Sequence, residues 1–385
     1  MEYQSTNARH NPRGGSRRGR PMMIAAFAAG TLGVSGIAAY AATGGHVIPT
    51  LTTKRTTDQS IVTVAVNKAA GKTGSADKTP TMTGSAADSP AMVDPSYKPS
   101  DRAAAGMPSV AFLTVINRAD PTFNQLLGIN DSGRVAGYFG SGADAAHPNK
   151  GYQVRSDYDG DDFTNENVPG SAQTQVIGIN DGGVTVGFSV DGMGANAGFV
   201  LRHGRFTAVT NPVGDASPHF DQLLGVNNNG VAVGFYNDAN GAAHGYLYEI
   251  QNRKFIPVSL PVHADSVTAT GINDRGDISG FYTVGKVTSG FLIRNHHFTP
   301  INLGAKTNTQ ALGVNNEDQV VGSFVDNAGT MHGFVRGEHG VKRIDDPHAK
   351  GGTVVNGINN RSQIVGFYVD AAGNTDGFLA RLIRS

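Results

Sequence analysis

The sequence lacks cysteine and tryptophan, and its 31 basic and 31 acidic side chains leave no net charge. Without cysteine there is no disulfide scaffold, no thiol nucleophile and no zinc ribbon. Without tryptophan the strongest platform for stacking a sugar ring is missing, which weighs against a lectin, although tyrosine and phenylalanine can substitute. The neutral balance gives no bulk attraction for nucleic acid, and the sequence contains no G-x-S-x-G, P-loop or G-x-G-x-x-G motif. We therefore expect no nucleic-acid partner and none of these common catalytic motifs.

Glycine is abundant instead, with 52 residues, and its spacing reveals an internal repeat. A Gly-Ile/Val-Asn tripeptide occurs six times, a second glycine follows nine residues later each time, and a third opens a Gly-Phe or Gly-Tyr pair. The six tripeptides begin at Gly128, Gly178, Gly225, Gly271, Gly313 and Gly357. A period of this kind indicates a repeated supersecondary unit. Because these residues recur in every unit, we interpret them as parts of the fold and not of a binding site.

Each unit is predicted to be a four-stranded antiparallel meander, with strands that we name a to d. In the third unit, short apolar and β-rich runs predict strands at residues 222–226, 231–236, 245–249 and 255–258. The a-to-b link is Asn-Asp/Asn-x-Gly in the first four units, and the b-to-c link is Asp-x-x-Gly in four units. Both patterns predict tight turns that Asn or Asp closes through its side chain and in which Gly adopts a positive φ.

Six such units predict an all-β fold, a six-bladed β-propeller of four-stranded blades. The last unit stops after strand c, whereas residues 109–116 form a β-like run with no strands a to c of their own. We therefore expect this N-terminal strand to pair with the C-terminal blade and close the ring, which removes the exposed sheet edges. The alternative is an open stack of β units, whose terminal repeats need polar caps.

The residues before the repeats divide into two segments. Residues 1–41 combine five arginines with an uncharged stretch that ends in Ala-Tyr-Ala, the plan of an export signal peptide, and Ser16-Arg17-Arg18 hints at the twin-arginine route. The alternative is an uncleaved membrane anchor, because residues 22–42 are uncharged and just long enough to span a bilayer. Residues 42–107 are rich in Ala, Thr, Ser, Gly and Pro and predict a disordered linker. The propeller then covers residues 108–385, in a secreted or membrane-anchored protein.

Residues that occur in only one or two units are the candidates for function. The c-to-d link of the first unit contains four carboxylates at close spacing, Asp157, Asp159, Asp161 and Asp162. Carboxylates at alternate positions can converge on calcium, although the match to a calcium loop is partial, and a solvated acidic turn is the competing interpretation. Histidines near the b-to-c and c-to-d links are a further candidate ring, with simple exposure as the alternative: His203, His244, His296, His297, His332 and His339.

Ligands of propellers usually bind where the d-to-a and b-to-c loops share one rim. Candidate rim residues recur here before strand a, and four are glutamines whose amides could face a polar ligand or simply cap the strand. These residues are Phe123, Asn124, Gln125, Gln175, His219, Phe220, Asp221, Gln222 and Gln310.

The fifth unit, from Gly313-Val-Asn-Asn to His332-Gly333-Phe334, resembles the HAF-type extracellular repeat family, bacterial proteins named for a His-Ala-Phe tripeptide. The resemblance covers residues 109–385. The tripeptide reads His-Gly-Tyr at His244 and His-Gly-Phe at His332, with Gly in place of Ala, and the other four units lack the His. What the resemblance implies is secretion and a repeated β architecture; no functional residue carries over.

Three functions are compatible with this sequence. The first is an exported, non-catalytic binding or interaction module, a monomer whose rim meets an extracellular or cell-envelope ligand and which touches the membrane only through its N-terminal segment. The second is a secreted hydrolase or lyase with rim carboxylates and histidines from different blades in one pocket. The third is a structural component of the envelope.

Overall fold

The computed structural model describes residues 109–115, 119–303 and 308–383, and these residues form six four-stranded antiparallel sheets arranged as a β-propeller. The predicted fold class is therefore confirmed. The predicted export signal at residues 1–41 and the predicted linker at residues 42–107 lie outside the described residues. The described part of the chain contains one 3-10 turn, Gly160–Asp162, and no helix long and apolar enough to cross a bilayer.

The first three blades follow the chain in the order a to d. Blade 1 comprises β2 Asn124–Ile129, β3 Val135–Phe139, β4 Lys150–Val154 and β5 Phe163–Asn165. Blade 2 comprises β6 Gln173–Ile179, β7 Thr185–Val190, β8 Asn196–Arg202 and β9 Arg205–Val209. Blade 3 comprises β10 Asp221–Val226, β11 Val231–Asn237, β12 Ala243–Glu249 and β13 Lys254–Pro257. The predicted strands of the third unit match these bounds within two residues.

The other three blades repeat the plan, except that blade 6 takes its last strand from the start of the described chain. Blade 4 comprises β14 Ser266–Ile272, β15 Ile278–Val284, β16 Val287–Arg294 and β17 His297–Ile301. Blade 5 comprises β18 Thr309–Val314, β19 Val320–Val325, β20 Met331–Gly337 and β21 Gly340–Ile344. Blade 6 comprises β22 Gly352–Ile358, β23 Gln363–Val369, β24 Thr375–Ile383 and β1 Ser109–Thr114.

The ring closes as predicted, because β1 pairs antiparallel with β24 from Ser109 opposite Ile383 to Thr114 opposite Phe378. Val110 and Phe112 pack on the apolar core of blade 6, and the ring of Phe112 lies 5.4 Å from that of Phe378 in an edge-to-face arrangement. A strand from the start of the propeller thus covers the edge of its last strand, and ring closure joins the two ends of the repeat region.

The anchor glycines let the six innermost strands approach one another around the propeller axis. A Cβ atom on Gly225 would lie 2.8 Å from the carbonyl oxygen of Thr270 and 3.2 Å from the Cα of Gly271 in the next blade. The same close approach recurs at all six anchors, up to Gly357, whose neighbour is Gly128 of blade 1. Any larger residue at these positions would push two blades apart.

Apolar side chains between adjacent blades form the core. Ala136 of blade 1 packs against Val176 and Phe199 of blade 2, and equivalent clusters fill the other interfaces. The aromatic rings of the Gly-Phe/Tyr pairs are all buried: Tyr152, Phe199, Tyr246, Phe291, Phe334 and Phe378. We name the two faces of the propeller by their connections. The a–b end carries the a-to-b and c-to-d turns, and the b–c end carries the b-to-c and d-to-a loops.

Candidate functional site

A cavity of about 120 Å³ lies on the propeller axis at the a–b end, with all six blades contributing to its wall. The wall begins at the residue before each anchor glycine and ends at the a-to-b turn. Four of the six residues before the anchors are aliphatic and the other two are polar: Leu127, Ile177, Leu224, Thr270, Leu312 and Asn356. The inner part of the cavity is therefore mainly apolar, and its polar groups concentrate at the mouth.

The asparagines of the Gly-Ile/Val-Asn tripeptides form a closed ring of hydrogen bonds around this cavity. The Nδ2 of each donates to the carbonyl oxygen of the equivalent asparagine in the next blade, over 2.9 to 3.1 Å. The ring runs through Asn130, Asn180, Asn227, Asn273, Asn315 and Asn359, and returns to Asn130. Within each blade the Oδ1 also caps the turn; that of Asn227 accepts from the backbone N–H groups of Asn229 and Val231. These bonds explain why every blade needs an asparagine here.

A second closed ring forms the mouth of the cavity. The backbone N–H of each residue after the asparagine donates to the Oδ1 of its counterpart in the next blade, over 2.7 to 3.0 Å. Three carboxylates and three amides take part: Asp131, Asp181, Asn228, Asp274, Asn316 and Asn360. All six side chains are used in holding the blades together. We therefore interpret this end of the channel as scaffold.

Three of the four predicted rim glutamines are buried and bond to side chains of their own or the preceding blade. Gln125 accepts from the hydroxyl of Tyr138 at 3.1 Å. Gln175 donates to Asn149 at 2.7 Å, and Gln222 donates to Asn196 at 3.2 Å. Gln310 is half-buried. The structure thus places three amides at one register of neighbouring blades, each with its own partner.

Asp221 is fully buried, where the sequence suggested a rim carboxylate. Its two oxygens accept from the hydroxyl of Tyr246 and from the backbone N–H of Asn211. Burial raises the pKa of this carboxyl to about 6, against the effect of both hydrogen bonds. In blade 1 the same register holds Asn124, whose oxygen accepts from the hydroxyl of Tyr152 and whose nitrogen donates to Val115.

The other predicted rim residues belong to the packing around the b–c end of the channel. Phe123 is buried against Tyr138, and half-buried Phe220 packs on Phe235. His219 is half-buried, and its carbonyl oxygen accepts from Asn196. Phe123 and Phe220 belong to an apolar cluster of blades 1 to 3 that includes the cavity-lining residues Leu127, Ile177 and Leu224.

The predicted histidines fall on opposite ends of the propeller. His203, His296, His297 and His339 are exposed in c-to-d turns at the a–b end. His244 and His332 lie at the b–c end, each paired with the aspartate of its own b-to-c turn, Asp238 or Asp326. His332 is buried and also contacts Asp345 at 2.8 Å; this hydrogen bond is the main cause that raises its pKa. The histidine of the His-Gly-Phe/Tyr tripeptide therefore locks a turn.

The acidic link of blade 1 forms an ordered turn. Asp157 and Tyr158 have positive φ angles of 85° and 54°, and the 3-10 turn follows. The carboxylate of Asp162 accepts from the backbone N–H of Asp159 at 3.0 Å. Among the residues that the structure describes, no three His, Cys, Asp or Glu side chains converge as metal ligands. Calcium binding by Asp157, Asp159, Asp161 and Asp162 stays a prediction.

The basic residues of the loops are unevenly divided between the two ends, a feature that the sequence reasoning missed, whereas acidic residues occur at both ends. The described residues of the b–c end include thirteen acidic side chains, five of them buried, against three lysines and Arg343, which pairs with Asp345 at 2.8 Å. The acidic residues are Asp120, Asp144, Glu166, Asp191, Asp215, Asp221, Asp238, Asp265, Asp326, Asp345, Asp346, Asp370 and Asp376. The lysines are Lys150, Lys286 and Lys350. A tally of charge by loop type, made once the strands were assigned, would have found this from sequence.

No family model matches the chain, and no curated protein matches it either. Several solved structures are similar. The lectin of Aleuria aurantia in complex with Fucα1-6GlcNAc is 10% identical, with a TM-score of 0.43, and the match covers 67% of this chain and 91% of that chain. AofleA from Arthrobotrys oligospora is 10% identical, with a TM-score of 0.41 and coverage of 71% and 82%. The subtype N11 neuraminidase-like protein of a flat-faced bat H18N11 strain is 12% identical, with a TM-score of 0.43 and coverage of 71% and 94%.

At these identities the similarity concerns the fold alone. The six-bladed architecture follows from the strand order and pairing described above. That architecture is compatible with a binding module, and what those proteins bind is not transferred to this chain.

Proposed function

We propose that this protein is an exported, non-catalytic binding module whose b–c end receives a cationic partner, a lysine- or arginine-rich polypeptide segment. The observation that carries this proposal is the excess of thirteen acidic over four basic side chains among the described residues of that end, with eight of the acidic side chains at least partly exposed. Export rests on the N-terminal sequence, and kinship with the HAF-type repeat proteins rests on the His-Gly-Phe/Tyr tripeptides.

A field of one sign across a face raises the local concentration of an oppositely charged partner and speeds its association. Asp144, Asp191, Asp215 and Asp265 are exposed, so their charges reach the solvent. Each also accepts a backbone hydrogen bond, which fixes the loop that carries it. The charges are thus held in place on a rigid scaffold, which lowers the entropy lost on binding.

Exposed apolar side chains accompany these charges. Met193 is 86% exposed in the b-to-c turn of blade 2, and Val213 is 68% exposed in the following d-to-a loop. Val284 and Val287 are exposed around the b-to-c turn of blade 4. Apolar groups beside charges suit the aliphatic stems of lysine and arginine, which pack on such surfaces while the charged ends meet carboxylates.

The arrangement of the described histidines supports binding over catalysis. Every described histidine–carboxylate pair lies within one blade or one loop, as in His147–Asp144, His244–Asp238 and His348–Asp346. Both ring nitrogens of His332 contact carboxylates, at 2.8 and 3.2 Å, so neither nitrogen is free to take a proton from a substrate as a general base.

The test is calorimetric titration of the full chain with an oligolysine peptide at low and at physiological salt. We expect saturable binding that weakens with salt. The triple variant Asp191→Asn, Asp215→Asn, Asp265→Asn keeps one acceptor oxygen in each turn and should lose at least tenfold in affinity. The control removes three carboxylates from the other end, Asp157→Asn, Asp159→Asn, Asp162→Asn, and should bind like the wild type. Equal losses in the two triple variants, or no saturable binding by the wild type, would refute the proposal.

A further inference from the structure

Basic side chains gather on the opposite end of the propeller, in the c-to-d turns of blades 2 to 5. Five blades carry an arginine within two residues of the end of strand c: Arg155, Arg202, Arg294, Arg336 and Arg381. In blades 2 and 3 the turns add Arg205, Arg253 and Lys254, and all three are exposed. Among the described residues of the c-to-d turns of blades 2 and 3, the one acidic residue is Glu249, at the end of β12; the a-to-b turn of blade 2 adds Asp181 at the same end.

Arg202, Arg205 and Arg253 form no ion pair with any residue that the structure describes, whereas Lys254 lies opposite Glu249 at the end of the β12–β13 hairpin. Arg202 and Arg205 are moreover direct cross-strand partners at the end of the β8–β9 hairpin. Like charges in this position destabilise a hairpin, so their placement has no benefit for folding. By contrast, Arg294 of blade 4 contacts Asp318 at 3.0 Å. The unneutralised charge is thus concentrated on the outer corner of blades 2 and 3.

The polypeptide enters the propeller on this same end. Strand β24 runs from the b–c end to the a–b end, and β1 is antiparallel to it, so Ser109 lies at the a–b end. The chain before Ser109 includes the uncharged residues 22–42, for which a membrane anchor is one of the two predictions. A basic surface on the side where such a segment joins the domain is complementary to the phosphate groups of a bilayer.

We infer that the basic corner of blades 2 and 3 docks on an anionic lipid surface, which turns the acidic b–c end away from the membrane. This inference goes beyond the proposed binding of a cationic partner and does not depend on it. Each lysine or arginine near an anionic bilayer strengthens binding about fivefold, and the attraction falls off within a Debye length. Four cations against the single carboxylate of Glu249 therefore give an appreciable, salt-sensitive affinity without an inserted segment.

The first experiment is co-sedimentation of the full chain with vesicles of phosphatidylcholine alone or mixed equally with phosphatidylglycerol. The N-terminal segment is the same in all variants, so their differences report on the propeller face. We expect Arg202→Gln, Arg205→Gln, Lys254→Gln to weaken binding to the anionic vesicles about a hundredfold. The control Lys150→Gln, Lys286→Gln, Lys350→Gln removes the same charge from the b–c end and should bind within about twofold of the wild type.

The second experiment reports orientation and uses the absence of native cysteine. An environment-sensitive fluorophore is attached to Asn252→Cys in the c-to-d turn, or to Asn240→Cys in the b-to-c turn of the same blade. On anionic vesicles only the first probe should shift to the blue. Equal shifts, or equal binding by both triple variants, would overturn the inference. Binding of soluble polyphosphate without binding of anionic vesicles would assign the corner to a polyanion and would also overturn it. Retained oligolysine binding in a variant that no longer binds vesicles would show that the two proposals are independent.

Discussion

The two ends of the channel are built from the same six repeats but differ in how uniform they are. At the a–b end every blade contributes the same asparagine and an Asp or Asn beside it, and both positions close into rings of hydrogen bonds. At the b–c end, by contrast, the residue at one and the same position of strand a differs between blades. The residue three before the anchor glycine is Gln125, Gln175, Gln222, Thr268, Gln310 or Val354. Positions with the same residue in every blade therefore belong to the scaffold, whereas positions that vary between blades lie at the end that we propose binds a ligand.

The largest loss of stability is expected from a substitution in the asparagine ring at the a–b end. Asn227→Ala deletes two backbone caps within blade 3 and the hydrogen bond from Nδ2 to the carbonyl of Asn273, at a buried position. Unsatisfied buried groups cost about 1 to 3 kcal/mol each, so we expect a loss of about 3 kcal/mol or more in the free energy of unfolding, measured by urea denaturation.

Two further variants make this measurement interpretable. Asn227→Asp keeps the accepting oxygen and loses the donor to Asn273, so its loss should be intermediate. Asn240→Ala changes an exposed turn residue at the b–c end and should stay within about 0.5 kcal/mol of the wild type. If the two alanine variants lose the same stability, the ring does not carry the scaffold role assigned to it.

The sequence was sufficient to predict the six-bladed scaffold but not which of the candidate rim side chains are buried. Gly-Ile/Val-Asn, the turn motifs and the unmatched strand at residues 109–116 predict six blades and their closure, because these depend on local turn chemistry and on strand count. Whether Gln222 or Asp221 faces solvent depends on blade twist and on residues ten or more positions away, such as Asn196 and Asn211. The repeat period and the motif spacing carry no information on the burial of these side chains.

The next largest effect on stability is expected from the buried carboxylate of Asp221 at the b–c end. Blades 2, 5 and 6 have threonine at the register of Asp221, and in each its hydroxyl accepts an N–H from the preceding loop. Their strand c carries Phe where blade 3 has Tyr246. The double variant Asp221→Thr, Tyr246→Phe therefore rebuilds blade 3 with the chemistry of its neighbours and removes the titrating group.

The pH dependence of stability tests this prediction. The pKa of Asp221 in the folded state, about 6, lies above its ordinary value of 3.8, so the folded protein holds this proton more tightly than the unfolded chain. Its contribution is fully favourable below about pH 4 and is lost as the pH rises through 6, a change of about 3 kcal/mol. Relative to the wild type, the double variant should gain about that amount between pH 4 and pH 7 in urea denaturation. Asp221→Asn should show the same flattening, because its Oδ1 can accept from the N–H of Asn211 and its Nδ2 can donate to the hydroxyl oxygen of Tyr246, with no group left to titrate. An unchanged pH profile in both variants would refute the assignment.

The smallest net effect is expected from exchanging one blade interface for another. Between blades 2 and 3 the side chains of Asn196 and Gln222 form a buried hydrogen bond at 3.2 Å, and the remaining oxygen of Gln222 has no protein partner. Between blades 5 and 6 the same two positions hold Met331 and Val354, which belong to one apolar cluster. At the b–c end the same contact between neighbouring blades is thus polar in one interface and apolar in another.

The single variants Asn196→Met and Gln222→Val should each cost about 1 to 3 kcal/mol, because each leaves a buried amide without its partner. The double variant removes both polar groups and should recover most of that loss, since replacement of a buried polar pair by apolar groups of similar shape is nearly neutral. The coupling energy is measured with a double-mutant cycle in urea. If the two losses simply add, the two positions are not coupled and the pair cannot be replaced as a unit. The b–c end would then tolerate new side chains less well than its sequence variation indicates.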